Sequence, residues 1–90
     1  MKIKISKKRS VIGFDITVDV TADGTERIKY VYTRFDGRRI GHKVCNPPVL
    51  SYSNTFVQVG GYAPGLRHEV FVSAISTVGR DSTILEWQDQ

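Results

Sequence analysis

Apolar and polar side chains alternate along several short stretches of this chain, and no stretch of useful length has the spacing of a helix. The clearest example is Phe14–Val20, where every second side chain is apolar and one strand face can enter a core. Turn residues separate these stretches, as at Ala22–Thr25 and Asp36-Gly37. The pattern predicts seven strands, at Ile3–Ile5, Phe14–Val20, Ile28 to the Asp36-Gly37 turn, Arg38–Val44, Thr55–Val59, Arg67–Ser76 and Thr83–Gln88.

Short strands that alternate with turns are typical of a Greek-key β-sandwich. We expect the fourth strand to end at Asn46-Pro47-Pro48, because neither proline can donate a hydrogen bond to a neighbouring strand. A chain of 90 residues is long enough for one domain. The sequence therefore predicts a single all-β, seven-stranded domain over residues 1–90, in which residues 1–9 form a basic amino-terminal arm or an edge strand.

Gly61, Pro64-Gly65, Val70, Val72 and Ala74 follow the fifth predicted strand in a fixed spacing. In that spacing the segment resembles the fibronectin type III family. Domains of that family carry the pattern Gly-Leu-x-Pro-Gly-Thr-x-Tyr-x-Val-x-Val-x-Ala at this place. Two departures are His68, where the family has its corner tyrosine, and the lack of a second-strand tryptophan, so the chain resembles a divergent member. The resemblance implies a fibronectin type III-like sandwich in which the third and sixth strands are neighbours. The residues that carry it are Gly61, Pro64-Gly65, Val70, Val72, Ala74, Ser76, Gly79, Ser82 and the strand Ile28–Tyr32.

The net charge of +4 is unevenly distributed, since nine of the thirteen Lys and Arg residues lie in residues 1–9 or 34–43. Such clusters favour acidic proteins or nucleic acid as partners. The only cysteine is Cys45, so no disulfide can form within the chain. The apolar run after the basic start is interrupted at Asp15, which is too early for a signal peptide, and no membrane-spanning stretch is present. We expect synthesis in the cytoplasm, with no membrane partner.

Residues with catalytic or metal-binding chemistry do not form a recognisable constellation. His42, Cys45 and His68 lack the spacing of metal ligands. Asp15 and Asp19 share a strand face but lie roughly 13 Å apart, too far for a glycosidase pair. No nucleophile-elbow signature occurs. We therefore expect a protein that is not an enzyme and needs no cofactor, metal ion or small-molecule substrate.

A surplus of apolar side chains on the outer side of one sheet is the best functional clue. If Val70 and Val72 point inward, Phe71 and Ile75 point outward. Inward Tyr30 and Tyr32 would likewise leave Val31 and Thr33 outside. The last strand adds either Ile84 or the pair Leu85 and Trp87. A contiguous apolar patch on a small protein marks a partner surface unless a loop or terminus covers it. The predicted protein-binding residues are Val31, Phe71, Ile75, Leu85 and Trp87.

The sequence thus favours a non-catalytic protein-binding or structural module. The resemblance extends this to a small phage virion protein of the head, tail or decoration type, docking on a repeated protein lattice while a basic arm becomes ordered. The alternative is a nucleic-acid-binding protein that uses the arm and the Arg34–Lys43 hairpin. A third option is an inhibitor of a host protein. The basic contact residues are Lys7, Lys8, Arg9, Arg38, Arg39 and Lys43.

Overall fold

The computed structural model describes all 90 residues, Met1–Gln90, and contains strands but no helix. The predicted all-β class and the number of strands are confirmed, and the sixth strand has the predicted bounds. The fifth and seventh strands begin earlier than predicted. The seven strands are β1 (Lys2–Arg9), β2 (Phe14–Thr21), β3 (Ile28–Phe35), β4 (Arg38–Val49), β5 (Ser51–Val59), β6 (Arg67–Ser76) and β7 (Arg80–Gln88).

The strands form two antiparallel sheets with the orders β1-β2-β5 and β4-β3-β6-β7. The third and sixth strands are neighbours, as the resemblance implied. Because side chains alternate between the two sides of a strand, each sheet has an inner and an outer face. The molecule measures 44 × 19 × 17 Å, so both outer faces are long and narrow.

The hydrophobic core lies between the inner faces and draws on both sheets. Ile3 and Ile5 of β1 pack at its margin. Burying each large aliphatic side chain contributes about 1.5–3 kcal/mol relative to exposure, which makes this layer the main source of stability. The core residues are Phe14, Ile16, Val18, Val20, Ala22, Ile28, Val31, Phe35, Cys45, Val70, Val72 and Ala74.

Strand β3 contains an irregularity between Ile28 and Tyr30, where its register shifts against both β4 and β6. Ile28 is fully buried, but the next buried residues are Val31 and Thr33, each 1 % exposed. An extra residue in a strand moves every later side chain to the other face of the sheet. The prediction that Tyr30 and Tyr32 point inward while Val31 and Thr33 point outward is therefore wrong.

Strand β4 continues to Val49, so the prediction that Asn46-Pro47-Pro48 ends it is also wrong. β4 is an edge strand whose only sheet partner is β3, and a proline at a sheet edge need not disrupt a ladder. Residues 45–48 form a bulge opposite a single β3 residue, because Tyr30 pairs with Val44 and Ile28 pairs with Val49. Both prolines lie in this bulge, where no hydrogen bond to β3 is required of them.

The basic amino-terminal segment is an edge strand. β1 pairs with β2 along its whole length, from Lys2 opposite Thr21 to Arg9 opposite Phe14. The expectation of an arm that becomes ordered only on assembly is wrong, because the segment is already part of a sheet. β1 also contacts β7 of the other sheet, which closes the sandwich along this side.

Candidate docking face

The outer face of the four-stranded sheet carries a cluster of aromatic and aliphatic side chains. The register brings Tyr30 of β3 beside Val44 of β4 and Ile75 of β6. Two rows further along the sheet, Phe71 of β6 pairs with Ile84 of β7. We call this surface the aromatic face, and its members are Tyr30, Tyr32, Arg34, His42, Val44, Phe71, Ile75 and Ile84.

The rings of the aromatic face pack edge to face. The centroids of Tyr32 and Phe71 lie 6.5 Å apart at an interplanar angle of 65°, and those of Tyr30 and His42 lie 6.1 Å apart at 68°. This packing leaves the two tyrosines and Phe71 half-buried. The aliphatic members stay open, since Val44 is 63 % and Ile84 54 % exposed. A contiguous apolar surface of this kind usually marks an interaction site.

Arg34 supplies an unneutralised positive charge at the edge of this cluster. Its guanidinium carbon lies 4.6 Å from the centre of the Phe71 ring, in the geometry of a cation–π contact. None of the ion pairs in the structure includes Arg34, and its Nε atom is buried without a hydrogen-bond acceptor. Arg39 is the β4 partner of Arg34 in the register, so two cations lie side by side.

Phe71 and Ile75 lie on the outer side of β6, as their alternation predicted. Val31 does not join them, because the shift in β3 buries it in the core. Strand β3 was predicted to add Val31 to this surface, but it adds Tyr30 and Tyr32 instead. Alternation counted from Ile28 gave the wrong side for this strand, because the irregularity after Ile28 moves the later side chains to the other face.

Leu85 and Trp87 lie on the inner side of β7, which corrects their assignment to the outer surface. Their partners in the register are Val70 and His68, both buried. Trp87 packs against the core, with its ring centroid 5.1 Å from that of Phe14. The other option for this strand, an outward Ile84, is the one that the register supports.

The predicted basic surface is split between opposite sides of the molecule. Lys7, Lys8 and Arg9 lie on β1, whose neighbours are β2 and β7, whereas Arg38, Arg39 and Lys43 lie on β4 at the far edge of the other sheet. The β1 cations are partly engaged: Lys7 Nζ lies 5.1 Å from the Trp87 ring centre, and the Arg9 guanidinium lies 3.5 Å from that of Tyr62. The two clusters therefore do not form one continuous surface.

His68 forms a buried charged cluster beneath one end of the sheets. Its Nδ1 atom lies 2.8 Å from an Asp36 carboxylate oxygen, and its Nε2 atom lies 3.0 Å from one of Asp89. An imidazole that contacts a carboxylate at each nitrogen donates from both, which requires the protonated ring. The rings of Phe14, Phe35 and Trp87 surround it at centroid distances of 5.0 to 5.3 Å.

The cluster shifts the proton affinity of its members. Burial alone lowers the pKa of His68, but hydrogen bonds and charges from Asp36 and Asp89 outweigh it, so this pKa lies above the ordinary 6.5. Burial raises the pKa of Asp89, but the Ala63 amide and His68 together hold it below the ordinary 3.8. The contacts are those of a structural ion pair, and each ring nitrogen is already occupied by a carboxylate.

The structure contains no group of three His, Cys, Asp or Glu side chains arranged to hold a metal ion. It also contains no helix long and apolar enough to cross a membrane. Cys45 is buried and free.

Comparison of the chain with protein-family models, with curated proteins and with solved structures finds no match.

Proposed function

We propose that the chain is a non-catalytic, fibronectin type III-like domain that binds another protein through the aromatic face. The strand order supports the fold part of the proposal. The chain forms one sheet of three strands and one of four, and the third and sixth strands are neighbours in the larger sheet. One observation supports the function above all others. The shift in β3 places Tyr30 and Tyr32 outward, next to Phe71 and Ile75.

The chemistry of the aromatic face specifies the partner in part. Tyr, Phe and Arg are the residues enriched at the centres of protein interfaces. The open aliphatic groups of Val44 and Ile84 call for an apolar centre on the partner, and the unpaired charge of Arg34 calls for a carboxylate beside it. A repeated protein lattice, such as a phage virion, is the narrower form of this proposal.

Substitution of Phe71 tests the proposal most directly. Phe71→Asp places a negative charge within the aromatic face and should abolish capture of the partner from the native source, with a loss of at least about 100-fold. Thr21→Asp makes the same change of charge on an exposed position of the other sheet and should capture the partner normally. Capture is measured by quantitative mass spectrometry at 50 and 500 mM salt. Equal capture by both variants would rule out the aromatic face as the docking site.

Nucleic-acid binding is the second candidate function. The sequence placed Tyr30 and Tyr32 in the core, whereas their outward position makes them accessible to bases. Bases stack on aromatic rings in sites that bind single strands, and Arg34 and Arg39 lie side by side next to these rings, where they can contact phosphates. Protein docking is preferred because Arg34 already covers Phe71 and the other rings pack edge to face, so few ring faces are free.

Salt dependence separates the two candidates. Binding of a fluorescent 20-nucleotide oligothymidine should weaken by more than tenfold between 50 and 200 mM salt if the cations neutralise several phosphates. Capture of a protein partner by apolar contact should hardly change over the same range. Salt-sensitive submicromolar binding of the oligonucleotide that Tyr32→Ala removes would favour the second candidate.

A further inference from the structure

A groove runs along the side of the sandwich opposite β1 and β7, between the edge strands β4 and β5. One part of it, of about 350 Å³, is lined by Gly41–Lys43 of β4 and by Tyr52, Ser53, Asn54 and Phe56 of β5. The adjoining part, of about 450 Å³, is lined by residues of Lys43–Val49 and by Ser51–Ser53. The two parts share Lys43, Tyr52 and Ser53, so they form one continuous groove.

Both walls of the groove are free sheet edges. β5 pairs only with β2, and β4 pairs only with β3. Alternate backbone amides and carbonyls of an edge strand point away from its only neighbour and can pair with an added strand. In β5 the regular part is residues 51–56, since the register with β2 shifts beyond Phe56. A segment of about six residues, roughly 20 Å long, matches this edge.

β5 differs from the other three edge strands in having nothing that blocks pairing. β1 carries five Lys and Arg residues, β4 carries two prolines as well as Arg38 and Arg39, and β7 carries Arg80, Asp81 and Glu86. Charges and prolines are the usual devices that prevent edge-to-edge association. Residues 51–59 include neither a charged residue nor a proline. The β5 edge is thus the one edge that accepts a strand without repulsion from its own side chains.

The charge in the groove selects the kind of strand. Lys43 pairs with the buried Val31 in the register, so its side chain leaves β4 on the inner side, at the point where both parts of the groove meet. A second copy of this chain would bring another cationic β4 to the same place, and each copy already has a net charge of +4. Like charges oppose that pairing, whereas an incoming carboxylate would be attracted to Lys43.

We propose that the β4–β5 groove binds an extended, acidic segment of a partner protein, which adds to β5 as a further strand. Backbone pairing with residues 51–56 supplies the affinity. The half-buried rings of Tyr52 and Phe56 supply shallow apolar contacts for alternate side chains of the segment, and Lys43 contacts a carboxylate at its middle. The groove adjoins the aromatic face, since His42 and Val44 border both, but the β5 backbone, Tyr52, Phe56 and Lys43 are not part of that face. The proposal therefore does not rest on the function proposed for the aromatic face.

A synthetic strand tests the proposal. The probe is the seven-residue peptide Thr-Val-Thr-Glu-Thr-Val-Thr, with fluorescein on its amino terminus and an amide at its carboxyl terminus, titrated at 50 mM salt. The expected result is saturable binding, with amide hydrogen exchange slowed in residues 51–56. A peptide with lysine in place of glutamate should bind about fivefold more weakly, the scale of one exposed ion pair. A peptide with proline at the threonines beside the glutamate should not bind.

Two protein variants separate the ion pair from general charge. Lys43→Glu should reverse the preference, so that the lysine peptide binds better than the glutamate peptide. Lys2→Glu makes the same change of net charge on β1, at the far edge of its sheet, and should leave the preference unchanged. Phe71→Asp should bind the peptide normally, which keeps this test independent of the aromatic face.

Three outcomes would overturn the proposal. The first is a lack of binding by the glutamate peptide at millimolar concentration, and the second is equal binding by the proline peptide, which would show that no strand is added. The third is protection of residues 51–56 that rises with protein concentration in the absence of peptide, together with a dimer in sedimentation velocity. That result would show that a second copy of the chain occupies the edge.

Discussion

The two outer faces of the sandwich share one strand geometry but differ in chemistry. On the three-stranded sheet, polar groups meet each other: the Ser53 hydroxyl donates to Asp19 at 2.6 Å, and the hydroxyls of Thr17 and Thr55 lie 3.0 Å apart. On the four-stranded sheet, Arg34 lies on Phe71 and has no carboxylate partner in the chain. We call the first surface the polar face.

The difference shows which face is suited to a partner. The side-chain hydrogen bonds on the polar face are made within the chain, so a partner would have to replace bonds that already exist. The aromatic face leaves apolar area and a positive charge exposed to water, and both gain from contact with a complementary surface. Interaction is therefore expected where the chain does not satisfy its own groups.

The largest effect is expected when the same charged residue is placed first on the inner side and then on the outer side of β3. Val31→Asp places a carboxylate in the core and should destabilise the domain by about 4 kcal/mol or more. Tyr32→Asp, one position along, replaces a half-buried ring of the aromatic face and should leave the domain folded, with a cost of about 1–2 kcal/mol. Urea unfolding followed by circular dichroism measures both. A folded Val31→Asp variant beside an unfolded Tyr32→Asp variant would mean that β3 faces the other way.

The buried cluster of His68, Asp36 and Asp89 lies outside both outer faces, and its contribution to stability is tested by varying the pH. Because the pKa of His68 is raised by folding, its contribution is fully present below pH 6.5 and is lost as the pH rises through the folded-state value. Asp89 acts in the opposite sense, since its contribution is present above pH 3.8 and is lost as the pH falls through its lowered folded-state value. The free energy of unfolding attributable to this pair should therefore be greatest between these limits.

His68→Gln isolates that contribution. Removing the charge leaves the buried Asp89 without its partner, which should cost about 3 kcal/mol at pH 6 and should abolish the loss of stability on the alkaline side. His42→Gln, at an exposed position of the aromatic face, is the matched control and should keep the pH profile. An unchanged profile in the His68 variant would show that the ring is neutral in the folded protein.

The smallest effect is expected on the polar face. Asp19→Ala and Ser53→Ala each remove one partner of an exposed hydrogen bond and should cost about 1 kcal/mol or less. The double variant should cost little more than either single variant, because both remove the same interaction. Thermal unfolding of the four proteins measures the cycle. A coupling energy above about 2 kcal/mol would show that the polar face is a major source of stability.

The sequence predicted the positions of the strands better than it predicted which of their side chains point into the core. The regular alternation in Phe14–Val20 and Val70–Ala74 placed these side chains correctly in the core. In β3 the same reasoning failed, although one sign was present: inward Tyr30 and Tyr32 imply an inward Arg34 and an outward Phe35. Because Phe is usually buried and Arg usually exposed, the opposite orientation, with Phe35 inward and Arg34 outward, was the more favourable one.

Other features depended on contacts between distant parts of the chain. Nothing local to His68 announces Asp36 and Asp89 as its partners, because they lie 32 and 21 residues away in sequence. The prolines of β4 could be placed only once β4 was known to be an edge strand. The groove beside β5 likewise follows from the order of the strands, which sets the free edges.

The ion-paired histidine also has a consequence for the rates of folding. Its two contacts join the β3–β4 turn, the start of β6 and the carboxyl-terminal residues, so they form only after the chain has closed long loops. Interactions that are absent from the transition state affect mainly the rate of unfolding. His68 should therefore act as a latch that lengthens the lifetime of the folded domain while the rate at which the domain forms stays nearly the same.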